Sequence, residues 1–273
     1  MARRVEGKVA IVTGGGSGMG RAGATLLAAE GAKVVVTDIN EEKGMRVCRS
    51  IKEAGQEAAF IRADVREAES VKGLVAKTFA KYGRIDVLYH NAIDARFVNN
   101  EDRRLTELPE ETWNRMIGLV LTGTFLCCKY VGRQMLAQRS GSIILTSSVD
   151  ALIGCPGLDS YTAAKGGVIA MTRSFAAGMA KDGVRVNAIC PGTVSTESQM
   201  EWLQNPKALA LMQSLHLLPV AKPEQIAPFV VYLASDESAV VTGGIFPIDA
   251  GYVAFKAKTD IEVMTATKGE LDA

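Results

Sequence analysis

The stretch KVAIVTGGGSGMG, residues 8–20, sets a short apolar run directly against a cluster of glycines. The run is β-branched and uninterrupted, which is the pattern of a strand covered on both faces. The glycines that matter after it are Gly14, Gly18 and Gly20, a GxxxGxG spacing. Glycine permits a tight strand-to-helix turn and lets a pyrophosphate approach the free N–H groups at a helix N-terminus. Ser17 and Met19 belong to the same candidate loop. The spacing differs from the strict G-x-G-x-x-G fingerprint, and no Gly-Lys-Ser/Thr follows that would make a P-loop.

The same alternation repeats outward. KVVVTD (33–38), AAFIRAD (58–64), RIDVLYHN (84–91), GSIILTS (141–147), VRVNAIC (184–190) and GGIFPID (243–249) read as further strands. Helix-length patterns cover 19–30, 41–54, 67–82, 109–138, 158–181, roughly 200–216 and 223–235. This predicts an α/β chain: a single doubly wound (Rossmann) domain over residues 1–253, a parallel sheet of about seven strands with helices on both faces. Residues 254–273 form a C-terminal tail with no assigned place in the sheet, and the charged stretch 96–107 reads as a solvated loop.

Composition removes several function classes. Lys+Arg (31) balances Asp+Glu (30) in 273 residues, which argues against a nucleic-acid binder. The apolar run after MARRVEG is too short for a signal peptide, and MIGLVLTGTFLCC (116–128) falls short of a membrane span. The cysteines Cys48, Cys127, Cys128, Cys155 and Cys190 make no CxxC pair, so the expectation is reduced thiols in a cytoplasmic protein. His90 and His216 lie far apart in sequence, and no metal is expected.

Two positions bring chemistry to this frame. Asp38 ends the second strand, where a carboxylate accepts hydrogen bonds from an adenosine ribose and repels a 2′-phosphate. Ser17 and Ile39 supply no cation to offset it, so the cofactor expected is NAD. In SYTAAKGG (160–167), Tyr161 and Lys165 stand one helical turn apart. A lysine charge favours tyrosinate and should lower the tyrosine pKa, suiting Tyr161 to exchange a proton with an alcohol or carbonyl.

With TGxxxGxG, Asp38 and Tyr161-x-x-x-Lys165 in order, residues 5–253 resemble the short-chain dehydrogenase/reductase family. The resemblance implies that Ser148, thirteen residues before Tyr161, completes a Ser148–Tyr161–Lys165 trio, the spacing favouring it over its neighbour Ser147. It also places Asp64 and Val65 beside the adenine, and Asn91 of HNAI (90–93) where relatives carry NNAG. Pro191, Gly192, Val194 and Thr196 of ICPGTVST are implied along the nicotinamide, with Lys165 on its ribose. A homotetramer paired through Trp113–Gln138 and Gly157–Lys181 follows from the same source. Two positions depart: Val120 stands where relatives carry a relay asparagine, and Ile93 replaces a glycine of the cleft.

The substrate expected is a small molecule. The segment 197–218 is rich in Met, Leu and Trp, which suits an alicyclic or aromatic secondary alcohol and its ketone. Arg96, Asp150, Leu158 and Trp202 are the candidate substrate contacts, with Arg96 and Asp150 also able to pair with each other. Two alternatives stay open: an NADPH-dependent 3-oxoacyl-type reductase, and an NAD-binding protein with little turnover because of Val120.

Overall fold

The structure is a computed structural model describing residues 3–255. Most of the tail expectation, residues 256–273, lies outside the described residues. Seven strands form one sheet: β1 (Val9–Thr13), β2 (Lys33–Thr37), β3 (Ala58–Phe60), β4 (Val87–His90), β5 (Gly141–Thr146), β6 (Val184–Pro191) and β7 (Ile245–Ile248). All pairings are parallel, in the order β3-β2-β1-β4-β5-β6-β7. The winding reverses between β1 and β4, and a crevice for ligands is expected at the carboxyl ends of the strands there. Thr13 pairs with His90 in that register, so the loops that follow them lie side by side.

Alternate residues of each strand feed opposite faces. Leu88 and Leu145 join one apolar cluster with Val120, Ala164 and Val168, while Tyr89 and Ile144 join the other with Ala24, Leu27 and Val230. The helices are α1 (Gly18–Ala29), α2 (Glu41–Glu53), α3 (Ala68–Tyr82), α4 (Ala95–Glu101), α5 (Glu110–Met116), α6 (Gly123–Gln138), α7 (Asp159–Met179), α8 (Glu197–Leu203), α9 (Pro206–Ser214) and α10 (Pro223–Ala234). A π turn, Ile117–Thr122, joins α5 to α6. The continuous helix Glu110–Gln138 is long and apolar enough by composition to cross a membrane, yet half of its apolar window is buried in this fold.

Three expectations need correction. The strand expected over 58–64 ends at Phe60. The helix expected over roughly 200–216 is two helices, because Asn205 caps a new start by accepting the Lys207 N–H and Pro206 opens α9. The stretch 96–107 is not simply a solvated loop. Asp94 accepts the Phe97 N–H and starts α4, which buries Phe97 and Val98. Asp102 beyond it is buried and accepts the N–H groups of Ser160 and Tyr161 at 3.2 and 2.9 Å, and the Ser160 hydroxyl at 2.9 Å. A carboxylate thus closes the N-terminus of α7, where its charge opposes the helix dipole favourably. It fixes the turn that carries Tyr161.

Candidate active site

One wall of the crevice is built from backbone. Gly14 has φ +61°, and a Cβ there would come within 2.8 Å of Ala92 Cα. A Cβ on Gly20 would meet the Gly14 carbonyl oxygen at 2.1 Å, so α1 packs against its own loop as only glycine allows. Gly18 faces Thr196 across the crevice, with a built Cβ 3.0 Å from Thr196 Cγ2. The Gly18 N–H donates to Glu197 Oε2 at 3.0 Å, and Arg21 pairs with the same carboxylate. An anion therefore already sits at the N-terminus of α1, which is the chemistry a pyrophosphate requires there. Ser17 is the N-cap residue of α1, and Met19 packs on the cluster beneath it.

Asp38 is held from two sides, accepting the Gly16 N–H at 3.0 Å and the Asn40 N–H at 2.9 Å. Ile39 beside it is exposed, and its carbonyl accepts Arg62 Nε at 3.2 Å. That arginine puts a cation near the acid which Ser17 and Ile39 by themselves did not reveal. Asp64 is clamped by Arg66 at 3.0 and 2.6 Å, which holds its carboxyl below the usual range. Val65 is buried against Gly123. Asn91 accepts the Tyr89 and Thr146 hydroxyls at 3.3 and 3.4 Å. Pro191 ends β6, Gly192 donates its N–H to the Ile248 carbonyl, and Val194 is buried. The residues present fit a dinucleotide: a glycine cradle, an anion-accepting helix end and a fixed carboxylate.

The opposite wall is made of buried side chains at the ends of β5 and α7. Ser147 and Ser148 are neighbours with different partners. The Ser147 hydroxyl donates to the Lys165 carbonyl at 2.9 Å, whereas Ser148 donates to Asp150 Oδ2 at 3.0 Å. Lys165 is buried, donates to the Thr146 carbonyl at 2.6 Å, and its Nζ stands 5.6 Å from the Tyr161 ring centre. Burial pulls its pKa down to about 8.

Tyr161 behaves differently from the expectation. Burial pushes its hydroxyl well above the ordinary tyrosine value, with only the Ser148 hydroxyl working against it. Lys165 does not offset this, because its Nζ is directed at the Thr146 carbonyl rather than at the phenol oxygen. Tyr161 here is a proton-bearing phenol.

The remaining candidates separate. Asp150 touches Ser148, but Arg96 pairs with Glu201 of α8, so the two do not pair with each other. Leu158 is the residue before α7 and packs on the central cluster, and Trp202 is exposed on α8. Of the apolar residues in 197–218, Leu203 is buried while Met200, Leu209, Leu211, Leu217 and Leu218 are exposed. Val120 is buried in the π turn, and Ile93 packs on the same cluster.

His90 is a residue the motif comparison passed over. Thr13 Oγ1 accepts the N–H groups of Asn91 and Ala92 at 3.0 and 3.2 Å, so its own hydrogen goes to His90 Nδ1 at 3.0 Å. The imidazole proton then sits on Nε2, which is buried and has no hydrogen-bond partner among the described residues. Burial, with the Lys165 charge, lowers the His90 pKa to about 3, so the ring is neutral. A histidine in a strand read as apolar was the available signal. Among the described residues no group of three His, Cys, Asp or Glu could hold a metal ion.

A family model described as enoyl-(acyl carrier protein) reductase matches residues 14–253. A 3-oxoacyl-(acyl-carrier-protein) reductase of Thermotoga maritima is 39% identical, with 92% of this chain and 99% of that protein covered. A 2,5-dichloro-2,5-cyclohexadiene-1,4-diol dehydrogenase of Sphingobium indicum is 38% identical, covering 92% of this chain and 98% of that one. The solved structure of levodione reductase superposes with a TM-score of 0.86 at 30% identity, over 93% of this chain and 100% of that chain. The chain belongs to the short-chain dehydrogenase/reductase family and is an oxidoreductase of that type.

Proposed function

We propose that this chain is an NAD-dependent oxidoreductase that interconverts an alicyclic or aromatic secondary alcohol and its ketone. The observation that carries the reading is the meeting of Ser148, Tyr161 and Lys165 where the carboxyl end of β5 faces the first turns of α7, beside the anion-accepting end of α1. Bound nicotinamide supplies the hydride acceptor or donor. Asp38 would receive the adenosine ribose hydroxyls, the Gly18 N–H and Arg21 the pyrophosphate, and Lys165 the nicotinamide ribose. The resemblance adds Asp64 and Val65 beside the adenine, Asn91 of the HNAI motif, and Pro191, Gly192, Val194 and Thr196 along the nicotinamide.

Tyr161 carries the proton. In reduction, its half-buried phenol would give a proton to the substrate oxygen and be left as phenolate; oxidation would start from that phenolate, which takes the alcohol's proton. Ser148 hydrogen-bonds to that oxygen and steadies its charge. The exposed apolar residues of α8 and α9 suit an apolar ring, as do the diol dehydrogenase and levodione reductase relatives. A homotetramer is part of the proposal, with exposed Trp113 and Phe125 on the first of its pairing helices. A cytoplasmic setting is proposed from five free cysteines, four of them buried.

A second reading has its own observation. Arg62 at the Ile39 carbonyl brings a cation near the adenosine end, and a 3-oxoacyl reductase stands among the relatives. An NADPH-dependent reductase would use it. Oxidation of cyclic and aromatic secondary alcohols with NAD and with NADP, run beside Tyr161→Phe, tests both. The expected result is turnover with NAD that falls roughly thousandfold in the variant while cofactor binding stays. A preference for NADP would move the second reading ahead. NAD binding with no turnover in either protein would favour a non-catalytic NAD-binding role.

A further inference from the structure

Before substrate enters, the Ser148 hydroxyl is fully engaged. It donates its hydrogen to Asp150 Oδ2 at 3.0 Å and accepts the Asp150 backbone N–H at 3.1 Å, and the Tyr161 hydroxyl lies against it. A hydroxyl has one hydrogen and two lone pairs, so nothing is left over. In the reaction above, Ser148 turns its hydrogen onto the substrate oxygen, and Tyr161 exchanges a proton with that same oxygen. Asp150 then loses its donor.

The position of Asp150 makes that loss matter. It is half-buried, and burial raises its carboxyl above the usual range against the opposing bond from Ser148. Among the described residues Ser148 is the only side chain that donates to it, and no Lys or Arg pairs with it. Its neighbours Cys155, in the loop before α7, and Tyr252, beyond β7, are raised first by burial and then by the Asp150 charge, and neither is a cation. A carboxylate taken out of water and stripped of its donor is destabilising, so the ligand must bring a replacement.

We propose that Asp150 is a specificity-determining residue that selects substrates with a second hydroxyl on the carbon next to the reacting one: a cyclic vicinal diol, or the hydroxyketone made from it. The reacting oxygen takes the Ser148 hydrogen while the neighbouring hydroxyl donates to Asp150. The spacing agrees. Ser148 Oγ and Asp150 Oδ2 are 3.0 Å apart, and gauche oxygens on adjacent ring carbons are separated by about the same length, so the two hydrogen bonds run side by side. A neutral donor suits the site better than an ammonium, because Lys165 already places a buried amine 5.6 Å from the Tyr161 ring centre. Oxidation moves hydride from the reacting carbon to the nicotinamide and its hydroxyl proton to Tyr161, and the second hydroxyl is unchanged. This inference rests on the alcohol–ketone reading above.

NAD-linked oxidation of cis-1,2-cyclohexanediol and of cyclohexanol, compared as kcat/KM, tests it. The native protein should prefer the diol by roughly ten- to hundredfold, the worth of one hydrogen bond to a charged group. In Asp150→Leu, which keeps the size and removes the acceptor, that ratio should fall to about one, and in Asp150→Asn, which keeps a neutral acceptor, it should lie between. A merely structural Asp150 would lower both substrates alike and leave the ratio standing. Should a variant lose turnover, calorimetric binding of the two alcohols to the enzyme carrying reduced nicotinamide, a complex that cannot react, reads the same ratio. A native ratio near one, or a diol preference that survives in Asp150→Leu, would overturn the inference, and oxidation of cyclohexanol would still leave the alcohol–ketone reading standing. Diol-selective binding that Asp150→Leu abolishes, with neither alcohol oxidised, would support the site and sink that reading instead.

Discussion

The two walls of the crevice obey different physical rules. The wall after β1 and β2 is backbone: Gly14, Gly18 and Gly20 shape it, and even Asp38 is pinned by the N–H groups of Gly16 and Asn40. The wall after β5 and along α7 is made of ionisable side chains taken out of water, with Lys165 lowered and Tyr161 and Asp150 raised by burial. The first recognises by shape and is tolerant of pH. The second works by shifted proton affinities and lowers the stability of the fold to hold them.

Lys165→Met tests that trade most severely. Turnover should fall roughly hundredfold, since the proposed hold of Lys165 on the nicotinamide ribose is lost. The fold should gain on the order of 2 kcal/mol at pH 7, because a buried ammonium is replaced by an apolar chain of similar length. The sign follows from the titration. With a folded pKa of about 8 against the ordinary lysine value of 10.5, the unfolded chain holds the extra proton between those values. Native stability should therefore climb with pH across that window, and the Met variant should lack the climb. Denaturant melts at pH 7, 9 and 10 read both effects. A variant less stable than the native protein at pH 7 would break the comparison.

Gly20→Ala strikes the other wall. Its Cβ would lie 2.1 Å from the Gly14 carbonyl oxygen, so backbone must move. Overpacking of this kind costs about 1–3 kcal/mol, and cofactor affinity should drop roughly ten- to hundredfold with little change in the pH dependence of what activity remains. Calorimetric titration with NAD checks the first part. A shifted pH profile would mean that the walls are not separable.

Glu197→Gln should have a smaller effect of opposite sign. Its carboxylate occupies the Gly18 N–H and Arg21 that a pyrophosphate would use. Removing the charge should tighten NAD binding by roughly fivefold at low salt, with the gain shrinking as salt is added. Weaker binding would instead make Glu197 a support of the loop.

This contrast also explains what could be read in advance. The sheet was legible because strand periodicity and glycine spacing are local, and so were Asp38 and the Tyr161–Lys165 turn. Asp102 was not: its bonds to Ser160 and Tyr161 span 58 and 59 residues, out of a stretch that looks like solvated charge. Glu197 at Gly18 bridges 179 residues in the same way. The Tyr161 pKa was misjudged for a related reason. Sequence spacing put a charge nearby but could not weigh it against burial.

His90 gives the finest test, because it belongs to both walls: its Nδ1 binds Thr13 at the end of β1, and its pKa is set by burial and Lys165. A folded pKa of about 3 against the ordinary histidine value of 6.5 means that only the unfolded chain takes up this proton in between. Stability should be unaffected by His90 above pH 6.5 and should decline as pH falls below it, by up to about 1.4 kcal/mol per pH unit from this group alone. His90→Asn keeps an acceptor for the Thr13 hydroxyl and removes the titration. Its stability should match the native protein's within about 1 kcal/mol at pH 7.5 and exceed it by roughly that much at pH 5.5. Equal losses in both proteins between those values would assign the acid sensitivity to the carboxylates. The buried imidazole would then be only a spacer between Thr13 and Lys165.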